Sequence, residues 1–421
     1  MDLRERQLYG IMILLLAGLI VTGFLFQGFG PTLRGFLDIQ RHPARLINDY
    51  TSIGGTGATL VNAAVTALIG LLLVAITGVR LSGPTIAGVL TILGFGFFGK
   101  TPLNILPIIT GVFLASKIAK KTFSEYLLIA LFGTALGPLV TFLVLEFGLT
   151  GLPALVTAIL AGIVTGILLP PLAMAMLHLH QGYNLYNMGL TCGFFGLFAA
   201  SIITAIRGPI AITVIWNAEP PLLLLLLMPV LSVYFILAGI VMGKKDIWRS
   251  FISIQRLPGR LPSDFIDMAS PAGTFLNIGL LGLVSWLYVF LVKGAFNGPV
   301  LGGILTVMGF GAFGKHLKNV WPVMAGVFIS CLVFGKDPSA PGPLLAALFA
   351  TTLAPLAGEF GPLTGIIAGF LHLVMVERTA AWHGGLDLYN NGFAGGLTAA
   401  FLVAVIDWLR TIKQRKEALK G

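Results

Sequence analysis

The sequence predicts an all-α integral membrane protein of about ten transmembrane helices plus two re-entrant hairpins, set out as two inverted-topology repeats. Three observations lead there: the composition, the recurrence of apolar stretches of bilayer length, and a duplication covering nearly the whole chain. Of 421 residues, 57% are hydrophobic and 10% charged, with a mean hydropathy of +0.96. A soluble chain of this length carries about a quarter of its residues charged to keep its surface hydrated. Thr56–Val79, Tyr126–Leu145, Leu152–Ala173 and Leu222–Met242 are each long and apolar enough to cross a hydrocarbon core. The formal net charge of +10 sits between apolar segments and in the C-terminal tail, where topology signals and lipid headgroups account for it, and nucleic acid is not expected as a partner. Cys192 and Cys331 share no motif spacing and predict neither a disulfide nor a metal site. No cofactor is implied.

The elements follow in order. Tyr9–Phe26 comes after Arg4 and Arg6, has no clear cleavage site and has a counterpart in mid-chain, so it reads as a retained span. A shift of 215 residues lays Arg34–Arg41 on Arg249–Arg256 and Asn62 on Asn277. At the same shift Gly83–Ala115 meets Gly298–Ser330 without a gap, with about half the positions identical. Glu146-Phe-Gly then meets Glu359-Phe-Gly, and His180–Gly189 meets His383–Gly392. The chain thus divides into a first transmembrane repeat, 1–215, and a second, 216–421. Each repeat reads as a span, a basic amphipathic connector, a second span, two short apolar pieces and three further spans. The short pieces, Pro84–Phe98 and Pro102–Ala119 in the first repeat, are joined by a glycine-rich turn, which predicts two half-helices entering and leaving on one side; two thin full spans are the other reading.

Five crossings per repeat, or seven if the short pieces span, put the two repeats in opposite orientations. With the N-terminus inside, the inner connectors collect sixteen basic residues, among them Lys117, Lys120, Lys121, Lys244, Lys245 and Lys420, against seven outside. Both termini are therefore expected in the cytoplasm of a multi-pass cell-membrane protein, with membrane lipids as neighbours and room for a homo-oligomer.

Polar residues are costly in a bilayer, so those that recur at matched places carry the functional argument. Gly94-Phe-Gly-Phe-Phe-Gly-Lys100 and Gly309-Phe-Gly-Ala-Phe-Gly-Lys315 are followed by Asn104 and Asn319. These strings lack Walker spacing and predict no nucleotide. Gly96, Gly99, Gly311 and Gly314 with Lys100, Lys315, Asn104 and Asn319 are the expected substrate-binding set, since half-helix ends and a cation at one spot suit an anionic or dipolar solute; the lysines snorkelling to headgroups is the competing reading. Tyr186-Asn187 and Tyr389-Asn390 at the start of the last span of each repeat form a second set, with helix capping as the alternative. Asp387, which stands where the first repeat has Asn184, is a candidate coupling-ion residue with Glu146 and Glu359, although carboxylates at span ends are commonly solvated. Asn62 and Asn277 read as glue between helices. No nucleophile–base set or metal cluster emerges, so an enzyme is not expected.

The plan resembles inverted-repeat transport folds. The Gly-Phe-Gly-x-Phe-Gly strings and Leu106-Pro-x-x-Thr110 are similar to urea-channel repeat motifs, from which the second repeat departs at Trp321-Pro-Val-Met-Ala325. Citrate-type elevator carriers also pair glycine-rich hairpins, but their paired-glycine strings are absent here. In full-length layout the chain more closely resembles an uncharacterised family of bacterial multi-pass membrane proteins, a domain-of-unknown-function group, which implies no substrate. The expected function is transport of a small polar or anionic solute as a secondary carrier with its site between the repeats. A passive urea-channel-like pore is the alternative, and an intramembrane enzyme or lipid-interacting scaffold a third.

Overall fold

The computed structural model describes residues 3–243 and 246–419; Lys244, Lys245 and Lys420, assigned above to inner connectors, lie outside them. Among the described residues the regular structure is helical apart from two isolated β-bridges. One series of ten helices comprises α1 (Leu3–Gln27), α2 (Phe29–Gln40), α3 (Tyr50–Ile53), α4 (Thr56–Ile76), α5 (Gly83–Phe95), α6 (Pro102–Ile118), α7 (Phe123–Gly133), α8 (Gly137–Leu145), α9 (Gly151–His180) and α10 (Asn187–Arg207). The same series then recurs as α11 (Leu222–Gly243), α12 (Ile247–Ile254), α13 (Phe265–Met268), α14 (Pro271–Leu291), α15 (Gly298–Phe310), α16 (Leu317–Val333), α17 (Pro341–Phe349), α18 (Ala354–Phe360), α19 (Pro362–Trp382) and α20 (Asn390–Ala418).

Ten helical stretches among the described residues are long and apolar enough to cross a bilayer: α1, α4, α7 with α8, α9, α10 and their five counterparts. They carry outward rows of exposed Leu, Ile, Val and Phe, which only a lipid solvent tolerates on this scale. This is a multi-pass membrane protein. The spans Phe123–Leu145 and Pro341–Phe360, continuous in the sequence reading, are interrupted by 3-10 turns at Thr134–Leu136 and Ala350–Leu353. The cause is Pro138 and Pro355, which lack an N–H and whose rings clash with the carbonyl four residues back, that of Thr134 or Thr351.

The two short pairs, α5/α6 and α15/α16, reverse direction at their glycine turns. Helix α5 runs with α7, Gly88 lying by Leu131 and Lys100 bonding Thr134, whereas α6 runs against it, Asn104 meeting Gly137 and Ile108 meeting Gly133. At 13 residues α5 and α15 are about 20 Å long, short of a hydrocarbon core of about 30 Å. They are buried almost throughout and pack against each other in antiparallel fashion at the centre of the molecule, Gly83 by Ala312 and Gly94 by Gly302. Helices α10 and α20 also meet, at their first turns, where Gly189 and Gly392 pack so closely that a Cβ on Gly189 would lie 2.6 Å from the Gly392 Cα. The segment between α10 and α11 runs over one end of this core: Ile215 donates to the Ile47 carbonyl at 2.9 Å and accepts from Asp49 N–H at 3.0 Å.

Candidate functional site

Each glycine turn is held shut by asparagines. Gly99 and Gly314 adopt φ of +91° and +119°, a region that a side chain would make strained. Asn104 accepts from Thr101 N–H and donates to the Gly99 carbonyl at 2.9 Å, and Asn319 makes the same pair of bonds to His316 and Gly314. Asn62, on α4, donates to the carbonyls of Gly96 and Lys100 at 2.7 and 3.0 Å; Asn277 repeats this with Gly311 and Lys315, both at 2.8 Å. Gly96 and Gly311 end their helices pressed against α4 and α14. The four asparagines therefore bind the hairpin turns themselves.

The turns aim Lys100 and Lys315 inward, and both are fully buried. Lys100 Nζ donates to Thr134 Oγ1 at 2.7 Å and to the Tyr389 hydroxyl at 2.6 Å. Lys315 Nζ donates to Thr351 Oγ1 at 2.7 Å and to the Tyr186 hydroxyl. Each lysine thus joins the broken span of its own repeat to the Tyr-Asn segment of the other. Each also lies over a ring it does not bond, Lys100 5.5 Å from the Phe95 centroid and Lys315 5.2 Å from that of Phe310. An ammonium withdrawn from water loses several kcal/mol of hydration, and here two hydroxyls and an aromatic face are what replace it.

In front of the tyrosines lies a cavity of about 980 Å³. Four matched pairs form its inner wall: Thr91 and Thr306, Phe95 and Phe310, Phe132 and Phe349, Tyr186 and Tyr389. The lysines stand behind this wall, with the tyrosines presented to the space. The first turns of α10 and α20 complete it through Asn187, Gly189, Asn391 and Gly392, so two helix N-termini with their partial positive charge face the cavity. Asn187 and Asn390 themselves bond His180 and His383, at 2.9 and 3.0 Å, and so close the two segments. Thr306 spends its hydroxyl on the Gly302 carbonyl at 2.7 Å, whereas the buried Thr91 hydroxyl has no partner among the described residues. The wall is otherwise mainly apolar.

Leu185 and Leu388, packed on Gly314 and Gly99, also line the space, and most of the remaining wall residues, including Pro84, Leu128, His178, Gln181, Arg260 and Asp264, come from one end. Phe313 lies in this wall, but its counterpart 215 residues earlier, Phe98, is only 1% exposed. At that opposite end Asp49 bridges Phe98, whose ring packs by Gly302 and Phe95, and the crossing segment binds Asp49 and its neighbour: Asn217 donates to Asp49 and Thr51, Asn297 donates to the Asn217 carbonyl, and Arg45 donates to the Ala211 carbonyl. Burial raises the carboxyls of both Asp49 and Asp264, which sit at the N-termini of α15 and α5, above the ordinary carboxylate range, against the lowering effect of backbone N–H donors.

The other sequence candidates fall in different places. Glu146 is paired with Arg45 at the covered end, and Glu359 is exposed at the end of α18; neither lines the cavity. Asp387 is fully buried within the Tyr-Asn segment of the second repeat. The sequence reading left out Thr134, Thr351, Thr91 and Thr306. The last two recur in the same gapless alignment that singled out the lysines, and the first two mark the breaks that the prolines cause.

The sequence profile of one family, described as "Protein of unknown function (DUF1576)", matches the chain twice, over residues 30–205 and 243–408. The chain belongs to the DUF1576 family. Each match to the DUF1576 profile runs from the connector helix through the last span, so the glycine turn, the broken span and the Tyr-Asn segment are all within the family's sequence in both places. No curated protein and no solved structure matches the chain.

Proposed function

We propose that this protein is a secondary carrier that moves a small solute, with an apolar body and one polar or anionic end, across the cell membrane. Its site is the axial cavity between two repeats inserted in opposite orientations, with the short helix pairs as re-entrant hairpins and both termini in the cytoplasm. The carrying observation is that the cavity is lined by matched residues of both repeats and yet is walled asymmetrically, with one end reached through Arg260 and Asp264 and the equivalent end covered by the crossing segment. A carrier caught facing one way has this form. The opposed insertion is supported by which connectors meet: Arg4 and Arg80 pair with Asp267 of the second repeat, while Arg45 pairs with Glu146 and bonds the Ala211 and Gly384 carbonyls. Ends of the two repeats that lie far apart in sequence order thus gather on two separate faces. The aromatic wall favours an apolar body, and the two helix N-termini with the Thr91 hydroxyl favour an acceptor-bearing or anionic end.

The test is transport in proteoliposomes with a panel of aromatic and aliphatic carboxylates, with urea as the neutral comparison. Saturable carboxylate uptake, accelerated by the same solute preloaded inside and reduced at least tenfold in Tyr186→Ala/Tyr389→Ala, is the expected result. Urea flux that rises linearly with its gradient and shows no counterflow would make the protein a pore and overturn the carrier reading.

A further inference from the structure

The two Tyr-Asn segments are built on one pattern and differ at one chemically decisive atom. In the first, the Asn184 side chain is fully used: Oδ1 accepts from Tyr186 N–H at 3.2 Å and from the Thr352 hydroxyl, and Nδ2 donates to the carbonyls of Tyr186 and Gly392, both at 3.2 Å. In the second, Asp387 takes the same position. Its Oδ1 accepts from Tyr389 N–H at 2.9 Å, as the pattern requires. Its Oδ2 corresponds to the amide nitrogen of Asn184 and is buried with no hydrogen-bond partner among the described residues. The hydroxyl that binds Asn184 is missing as well, because the counterpart of Thr352 is Ala135, although the backbone bond between the same two segments is kept, Leu388 N–H to the Ala135 carbonyl and Leu185 N–H to the Thr352 carbonyl, each at 3.0 Å.

An ionised Oδ2 at a place built for a donor has nothing to accept from, and a buried carboxylate without donors costs several kcal/mol. A proton on Oδ2 turns it into the donor that the pattern provides in Asn184. A metal cation fits the place poorly: it needs several oxygens around it, one carboxylate oxygen is free, and no cluster of three or more His, Cys, Asp or Glu occurs among the described residues. The groups acting on Asp387 are Lys100 from the hairpin turn, Cys192 from α10, and His383 and Tyr389 of its own segment, with His383 Nδ1 accepting from Asp387 N–H at 3.4 Å. Lys100 and Asp387 form no ion pair among the described residues; Lys100 Nζ is directed instead to Thr134 and to Tyr389, which lines the cavity.

We propose that Asp387 is a proton-binding site, Oδ2 taking the proton, and that this proton is the one coupled to solute movement. Only the coupling rests on the carrier reading. Proton arrival removes a negative charge beside Lys100, and Lys100 holds the hydroxyl of Tyr389, so the change is passed to the cavity wall through one hydrogen bond of 2.6 Å. The first repeat carries Asn184 at that place and so has no carboxyl there to bind a proton.

The deciding experiment is a pH titration by infrared spectroscopy of the full-length protein in nanodiscs, in H2O and D2O, taken as the difference between wild type and Asp387→Asn. Asn184 shows that an amide fits this position, so the variant is expected to fold. The expected result is a protonated-carboxyl C=O band in wild type, shifted in D2O, absent from the variant and lost as pH rises. Ala135→Thr, which restores the hydroxyl, should move its midpoint to lower pH. No band at any pH, a band at every pH, or a band abolished by sodium chloride but not by choline chloride would overturn the proton site. The spectrum needs no solute, so a titrating Asp387 in a protein that moves nothing in liposomes would overturn the coupling alone. Proton-driven solute uptake without the band would overturn Asp387 and leave the carrier standing.

Discussion

Asn62 and Asn277 each close two carbonyls, one at the end of a short helix and one in the glycine turn that follows it. Truncation to alanine strands both in a site that water does not reach, at a cost of about 1–3 kcal/mol for each carbonyl. Asn277→Ala should therefore lower the thermal unfolding midpoint of detergent-purified protein well beyond what Asn217→Ala does, since Asn217 is half-buried and its carbonyl bond to Asn297 survives. Equal, small shifts would mean that the hairpin turns are held by packing alone. At this scale the sequence was informative about which residues matter and less so about what they touch. Lys100 and Lys315 were legible as costly, recurrent cations, but the tyrosines that cover them come from the other repeat, a pairing that no spacing along the chain encodes. Thr134 and Thr351 were missed because threonine is common in spans, and only the break imposed by the following proline gives them their role.

Ten spans were readable at the level of elements because bilayer length is a one-dimensional signal. The segment between α10 and α11 was not, because it is too short and irregular to show periodicity, and its importance comes from where it lies. It makes the two ends unlike, binding Asp49, the bridge partner of the buried Phe98, while their counterparts Asp264 and Phe313 line the cavity. Single cysteines in a Cys192→Ser/Cys331→Ser background test this directly. Phe313→Cys should react readily with a water-soluble maleimide, and Phe98→Cys should be at least tenfold slower. Ile215→Pro removes the N–H that donates to Ile47, and it should speed labelling at 98 while leaving 313 unchanged. If 98 and 313 label equally in the parent, the covered end is open in solution and the segment seals nothing.

For the whole molecule, the matched series of ten helices has a physical consequence that neither repeat has alone. Two helices related by an axis in the membrane plane run antiparallel, as α5 and α15 do, and two helix starts related by it meet head to head, as α10 and α20 do. Copies inserted the same way would bring like ends together and leave the N-termini of α10 and α20 at one surface, away from any common cavity. The opposed insertion we propose accounts for both positive helix ends, both lysines and both tyrosines gathering around one space. It also explains why the connectors sort into a group holding Arg4, Arg80 and Asp267 and a group holding Arg45, Glu146 and Ala211. Lys120 and Asp337 lie in the corresponding connectors, after α6 and after α16, and both are exposed. In the cysteine-free background, Lys120→Cys should be labelled by an impermeant maleimide only from the cytoplasmic side and Asp337→Cys only from the opposite side. Labelling of both from one side would mean that the repeats insert in parallel, and the shared cavity would then lose its basis as a transport site.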